Sequence, residues 1–154
     1  MVRATASVDP PRMSLEIETL ETSFDLIAPH GDELMDEFYS RLFEAAPGVR
    51  PLFPDDMRKQ KAMLLGALVL VRNSLRDLDR LVPKLHALGA RHVGYGAKPE
   101  FYPLVGSVLI DAMAAVAGPV WTPQIEQAWA AAYAVVAGAM IEGAEQAEQL
   151  AVAA

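Results

Sequence analysis

Phe101, Leu104, Val105, Val108, Leu109, Ala112, Met113 and Val116 fall at i, i+3, i+4, i+7 spacing, and this series constrains the chain more than any other feature. A strand alternates with period two and cannot hold such a series on one face, whereas a helix gathers it into one stripe. The rhythm recurs. Ile17, Leu20, Phe24 and Ile27 predict one helix, which "APHG" (28–31) interrupts. Leu34, Met35, Phe38, Leu42 and Phe43 predict a second. Residues 57–75 predict a third, with Gln60, Leu64, Ala67, Leu68 and Val71 on one face. A short helix is expected over 81–92. Ile125, Trp129, Ala132, Val136 and Met140 line a last helix, for which Thr122 and Pro123 supply an N-cap and a first-turn proline. Pro47, Pro51 and Pro54 fold "APGVRPLFP" into a compact corner that cannot be a long regular helix. No run alternates with period two, and no internal repeat is visible. The expectation is an all-α fold of helices of unequal length, more irregular than a four-helix bundle.

The chain has 154 residues, one domain's worth and enough to bury a real core. The domain is expected over 13–150, with a loose tail at 1–12 and a short one at 151–154. Hydrophobic residues make up 53% and charged residues only 21%, which suggests a large core or one that also wraps something apolar. A formal charge of −7 opposes phosphate binding, so nucleic acid is not an expected partner. The absence of cysteine removes disulfides, thiolate chemistry, cysteine zinc sites and iron–sulfur clusters. "MVRATASVDPPRMS" lacks the apolar centre of a secretion signal. Charge-free stretches such as 128–141 are shorter than the roughly 20 residues of a bilayer span. A cytoplasmic protein without a membrane span is therefore expected.

His92 stands at the end of the short helix, at the edge of a glycine-rich bend. A histidine there can meet the helix dipole and the last free carbonyls. A zinc site fits poorly. His86 and His92 lie about 240° apart around a helix. The third histidine, His30, sits in a loop signal. A metal that brings its own in-plane ligands needs only one imidazole, and that describes haem. Gly94 and Gly96 form G-x-G without a third glycine or a preceding strand, so they read as bend residues and not as a dinucleotide fingerprint.

The stretches "FYSRLFEAAPGVRPLF", "LGARHVGYGAKPEFYPLVG" and "WTPQIEQAWAAAYAVVAGAM", with the spacing between them, resemble the globins over residues 15–148. The likeness is greatest to the bacterial single-domain haemoglobins related to flavohaemoglobins, with some neuroglobin-like character. The resemblance implies a three-over-three helical sandwich around one haem b. It makes His92 the proximal iron ligand and Phe53 a ring packed on the haem face. It places Tyr39 on the distal side, donating a hydrogen bond to bound dioxygen, which carries partial negative charge. The alternative for Tyr39 is a buried phenol bonded to a backbone carbonyl. Gln60 matches the distal polar position, with an amide able to donate to the ligand or to Tyr39. The alternative for Gln60 is a rim residue beside Lys59 and Lys61. Leu64 matches the apolar residue that crowds the ligand, and Leu88, Tyr95 and Val105 complete the implied lining. Tyr102 matches a tyrosine that orients the proximal histidine. In flavohaemoglobins a glutamate on the last helix completes that arrangement. Here Ala144 takes its position, with Glu142 and Glu145 expected to point elsewhere. The departure weakens the push of electron density toward iron. Trp129 and Tyr133 are expected in the core.

The implied function is reversible binding of dioxygen, CO and NO at an open or water-filled sixth site, for oxygen supply or storage, by a monomer or homodimer. One rival is NO dioxygenase activity, which would require a separate reductase because the chain carries no nucleotide fingerprint. A ligand sensor and a haem-free helical domain are further rivals.

Overall fold

A computed structural model of the chain describes residues 15–153, so the tail expected at 1–12 lies outside the described residues. Six α-helices follow one another: α1 Ile17–Ile27, α2 Gly31–Ala45, α3 Arg58–Asn73, α4 Leu78–Gly94, α5 Phe101–Ala117 and α6 Pro123–Ala153. 3-10 segments lie between α1 and α2 (Ala28–His30), α2 and α3 (Pro47–Leu52) and α5 and α6 (Gly118–Val120), and no strand occurs among the described residues. The expected all-α architecture is the observed one. "APHG" does not open a loop; it tightens into a 3-10 turn between α1 and α2. The proline corner is likewise a 3-10 turn, ending at Phe53 in extended backbone. α4 is longer than the helix expected over 81–92, starting at Leu78 and ending at Gly94; Pro83 inside it costs about one backbone hydrogen bond without ending the helix. α6 begins where expected, with the Ile125 amide donating to Thr122 Oγ1 at 3.2 Å. It runs on to Ala153, three residues into the segment expected to be a tail.

The apolar stripes close into two clusters. The larger joins Leu20, Phe24, Leu34, Phe38, Val108, Met113 and Trp129 from α1, α2, α5 and α6. The Trp129 indole N–H donates to Ser23 Oγ at 2.9 Å, which satisfies the buried hydroxyl and ties α6 to α1. The smaller cluster joins Leu81 and Leu85 of α4 to Ala139 and Met140 of α6, with Val71 touching both clusters. Phe101–Val120 is long and apolar enough to cross a bilayer by length and composition, with a mean hydropathy of 1.6. Charge-free runs overlook it because Asp111 interrupts it. Its buried residues, Gly106, Val108, Leu109, Ala112 and Met113, place one face of α5 in the core.

Two glycines decide where α4 lies. A Cβ at Gly89 would sit 1.8 Å from the Met140 carbonyl oxygen, and one at Gly143 would sit 2.1 Å from the His86 carbonyl oxygen. The two helices therefore meet backbone to backbone, with no side chain between them. His86 Nε2 and Glu142 Oε1, 3.1 Å apart, close the same crossing at the surface. α4 thus packs chiefly on α6, while α3 rests on α2, and direct approaches between α3 and α4 are few. α3 and α4 are thus left with little direct packing on each other, and the space between them is the candidate cleft.

Backbone cannot step aside as the tip of a flexible side chain can. Gly89→Ala and Gly143→Ala should each destabilise the protein by at least about 2 kcal/mol, read as a lower urea midpoint with unchanged m-value. An unchanged midpoint would show that the helices are not in backbone contact.

Candidate haem site in the cleft between α3 and α4

One wall of the cleft is aromatic. α2 delivers Phe38, Tyr39 and Phe43, and the proline corner swings Phe53 back onto them. Tyr39 meets Phe38 edge-on at 4.8 Å between ring centroids, and Phe53 edge-on at 5.8 Å. Phe43 and Phe53 meet edge-on at 5.4 Å. Such edge-to-face contacts fix ring orientation as well as burying area. Tyr39 is 4% exposed, and burial raises its phenol pKa above the ordinary value. The Gln60 side chain on α3 approaches the Tyr39 hydroxyl and opposes part of that rise. Of the two readings of Gln60, the structure favours an inward residue: it is half-buried, with exposed Lys59 before it and with Leu64 one turn on. No backbone carbonyl takes the Tyr39 hydroxyl among the described residues.

The opposite wall is α4. The His92 ring is half-buried, and its Nδ1 lies 2.8 Å from the Leu88 carbonyl oxygen one turn back. That contact needs the Nδ1–H tautomer, which leaves the Nε2 lone pair free. Among the described residues Nε2 has no hydrogen-bond partner. Desolvation lowers the His92 pKa below its ordinary value; the Leu88 carbonyl opposes part of that fall and Arg91 adds a smaller push downward, so the neutral imidazole is favoured. Tyr95 stands edge-on to His92 at 5.4 Å, but is 52% exposed. The rims of the cleft meet at one point. Gly96 takes a positive φ of +87° below the bend, and a Cβ there would lie 3.2 Å from the Leu52 side chain of the proline corner.

Leu88 packs with the smaller cluster, and Val105 with the larger. The orienting contact implied for Tyr102 is not formed. Nδ1 of His92 is engaged by Leu88, and the Tyr102 hydroxyl has no hydrogen-bond partner among the described residues. Tyr102 instead faces a hollow of about 30 Å³ shared with Gly89, Ala144, Glu145 and Glu148. Ala144 therefore does lie beside Tyr102, as alignment places it, and its small side chain leaves the space open. Glu145 borders the same hollow, contrary to the expectation that it points elsewhere. Glu142 turns away to His86.

Sequence reasoning took Tyr133 only as core. The structure gives it a second task. Its hydroxyl donates to the Tyr102 backbone carbonyl at 2.7 Å, pinning the start of α5 to α6, and burial drives its pKa far above the ordinary value. Its place on an apolar helix face masked that role.

The donor set fits a haem. A neutral, half-buried imidazole with a free nitrogen has the chemistry of a metal ligand. The described residues contain no cluster of three His, Cys, Asp or Glu side chains that could hold a bare ion. The comparisons with known proteins agree. The sequence profile of the globin family matches residues 36–140. The chain belongs to the globin family, and that membership implies haem binding. It is 33% identical over 128 residues to a flavohemoprotein of Bacillus subtilis, and 35% identical over 129 residues to one of Rhodopirellula baltica. Those matches cover 81% and 80% of this chain, but only 32% of each relative. The chain thus spans about a third of the length of these relatives. Among solved structures, the fold matches a bacterial globin of Campylobacter jejuni at TM-score 0.78 and 24% identity, covering 86% of this chain and 96% of that one. It also matches an engineered carbene transferase built on a proposed nitric oxide dioxygenase of Rhodothermus marinus, at TM-score 0.76 and 26% identity, covering 88% and 95%.

Because the folded-state pKa of His92 is lowered, the unfolded chain takes up its proton first as pH falls. In the haem-free protein the stabilising effect of His92 is complete above about pH 6.5, its ordinary value, and is lost downward toward the lowered folded value. Urea unfolding between pH 7.5 and 5 should show a fall in stability that His92→Gln flattens. Parallel curves for the two proteins would contradict it.

Proposed function

We propose that the protein binds dioxygen reversibly at a haem b held by His92. Two observations support this reading: a buried Tyr39 phenol that the Gln60 side chain approaches, and a half-buried His92 imidazole whose Nδ1 is engaged by the Leu88 carbonyl, leaving Nε2 for a metal. A bound haem would supply an iron that takes up diatomic gases reversibly. The chain's own residues do the rest. Leu88 holds the imidazole by Nδ1, which fixes its tautomer and makes it more electron-rich. The Tyr39 phenol stays protonated, because burial raises its pKa, and can donate to a ligand of partial negative charge. The Gln60 amide steadies that hydroxyl or donates itself. Leu64 and Phe53 keep water from the site. No carboxylate pairs with His92 among the described residues, so basicity at His92 comes from the Leu88 carbonyl alone. This favours holding a ligand over redox turnover. Oxygen supply or storage is the corresponding role, in the cytoplasm.

A hydrogen bond from Tyr39 to the ligand should be worth roughly 1.5–3 kcal/mol. Tyr39→Phe should therefore speed dioxygen release about tenfold to a hundredfold in stopped-flow displacement by CO, with haem content unchanged. An unchanged rate would remove Tyr39 from the site.

The likeness to a proposed nitric oxide dioxygenase supports a second reading, in which NO and dioxygen combine to nitrate and a reductase supplies one electron per turnover. NO consumption with a flavin reductase and NADH decides between the two. The carrier reading expects consumption to stop near one NO per haem. Sustained turnover that scales with the reductase would instead establish the dioxygenase.

A further inference from the structure

Arg50 belongs to the proline corner, and its side chain does not point away into water. Its Nη1 donates to the Phe53 carbonyl at 3.2 Å and to the Pro54 carbonyl at 3.1 Å, and its Nη2 donates to the Asp55 carbonyl at 3.4 Å. The guanidinium carbon stands 4.9 Å from the centroid of the Phe43 ring. One side chain thus gathers three consecutive carbonyls from a segment that belongs to no helix or strand, while resting on the ring against which Phe53 packs. A planar fork of donors on an aromatic face suits guanidinium and not ammonium.

The consequence lies one contact further in. Phe53 and Phe43 both touch Tyr39, at 5.8 and 5.9 Å between ring centroids. The backbone of residues 53–55 has no regular hydrogen-bond ladder to hold it, so its position depends on whatever collects its carbonyls. We infer that Arg50 is a positioning residue for the distal pocket: it clamps the segment after the corner so that Phe53 and Phe43 hold the Tyr39 phenol in its donating orientation. The inference rests on the distal role proposed for Tyr39 and assigns to Arg50 no contact with the ligand.

The test is a double-mutant cycle on the haem-loaded full chain, with Arg50→Met, Tyr39→Phe and the two combined. Three quantities are read: the dioxygen dissociation rate, the Fe–CO stretching frequency of the CO complex, and amide hydrogen exchange at residues 53–57. Arg50→Met keeps the bulk over Phe43 but gives up all three carbonyls. On the Tyr39 background it should speed dioxygen release about threefold to tenfold, lower or broaden the Fe–CO stretch, and speed exchange at 53–57. On the Tyr39→Phe background the rate and the stretch should no longer respond, while the faster exchange should persist. Arg50→Lys keeps the charge over Phe43 but cannot span three carbonyls, so it should fall between wild type and Arg50→Met. Where Arg50→Met loosens haem, the lysine variant carries the comparison. Equal rate effects of Arg50→Met on both backgrounds would overturn the proposal, because Arg50 would then act without Tyr39. A silent Arg50→Met beside a strong Tyr39→Phe would also overturn it, leaving the distal reading intact. A silent Tyr39→Phe would remove the distal reading and the clamp with it.

Discussion

Two carbonyl oxygens and two missing β-carbons hold this structure open where it needs to be open. At the α4–α6 crossing the chain stacks backbone on backbone, with Gly89 against Met140 and Gly143 against His86. Ordinary helix pairs are kept 8–10 Å apart by side chains. Here the spacers are absent, and α4 sits as far down on α6 as a helix can. Everything α4 gains from that contact it forgoes with α3. The cleft is therefore not a packing fault between neighbours. It follows from one helix having committed its inward face to the other side.

The cleft walls have different physics. Around Tyr39 the wall is built of rings whose mutual angles do the positioning, and it contains one hydroxyl that burial keeps protonated. The α4 wall is organised by a single backbone carbonyl that chooses the tautomer of His92. A donor faces one way and a lone pair the other, across a space that neither wall fills. The hollow of about 30 Å³ beside Tyr102 is bordered by Glu145 and Glu148 as well as Ala144, but no carboxylate pairs with His92 among the described residues.

Most of the fold could be read from periodicity, because every long helix keeps one apolar stripe and the stripes of α5 and α6 are nearly uninterrupted. The residues of the site were legible by likeness to a family, and His92 partly by elimination among metal ligands. What stayed hidden has a common cause: it depends on distances between segments remote in sequence. Gly89 and Gly143 look like ordinary helix glycines until the helices cross. Tyr133 looks like core until its hydroxyl finds the Tyr102 carbonyl. Arg50 looks like a surface cation in a proline turn until three carbonyls converge on it. For Tyr102 the likeness implies a role beside His92, while His92 Nδ1 lies against the Leu88 carbonyl.

The division of the core into two clusters has a consequence for how damage would be felt. The larger cluster draws on five helices, whereas the smaller one is little more than Leu81 and Leu85 pressed on Ala139 and Met140. Local opening follows the density of such contacts, so α4 belongs to the cheaper of two cooperative units. A haem spanning the cleft would weld those units together, and its binding energy would become folding energy for α4. A substitution in the small cluster would then show itself first as a protein that sheds its cofactor while remaining folded. One in the large cluster would cost the fold outright. Loss of colour and loss of structure thus map onto different halves of the molecule.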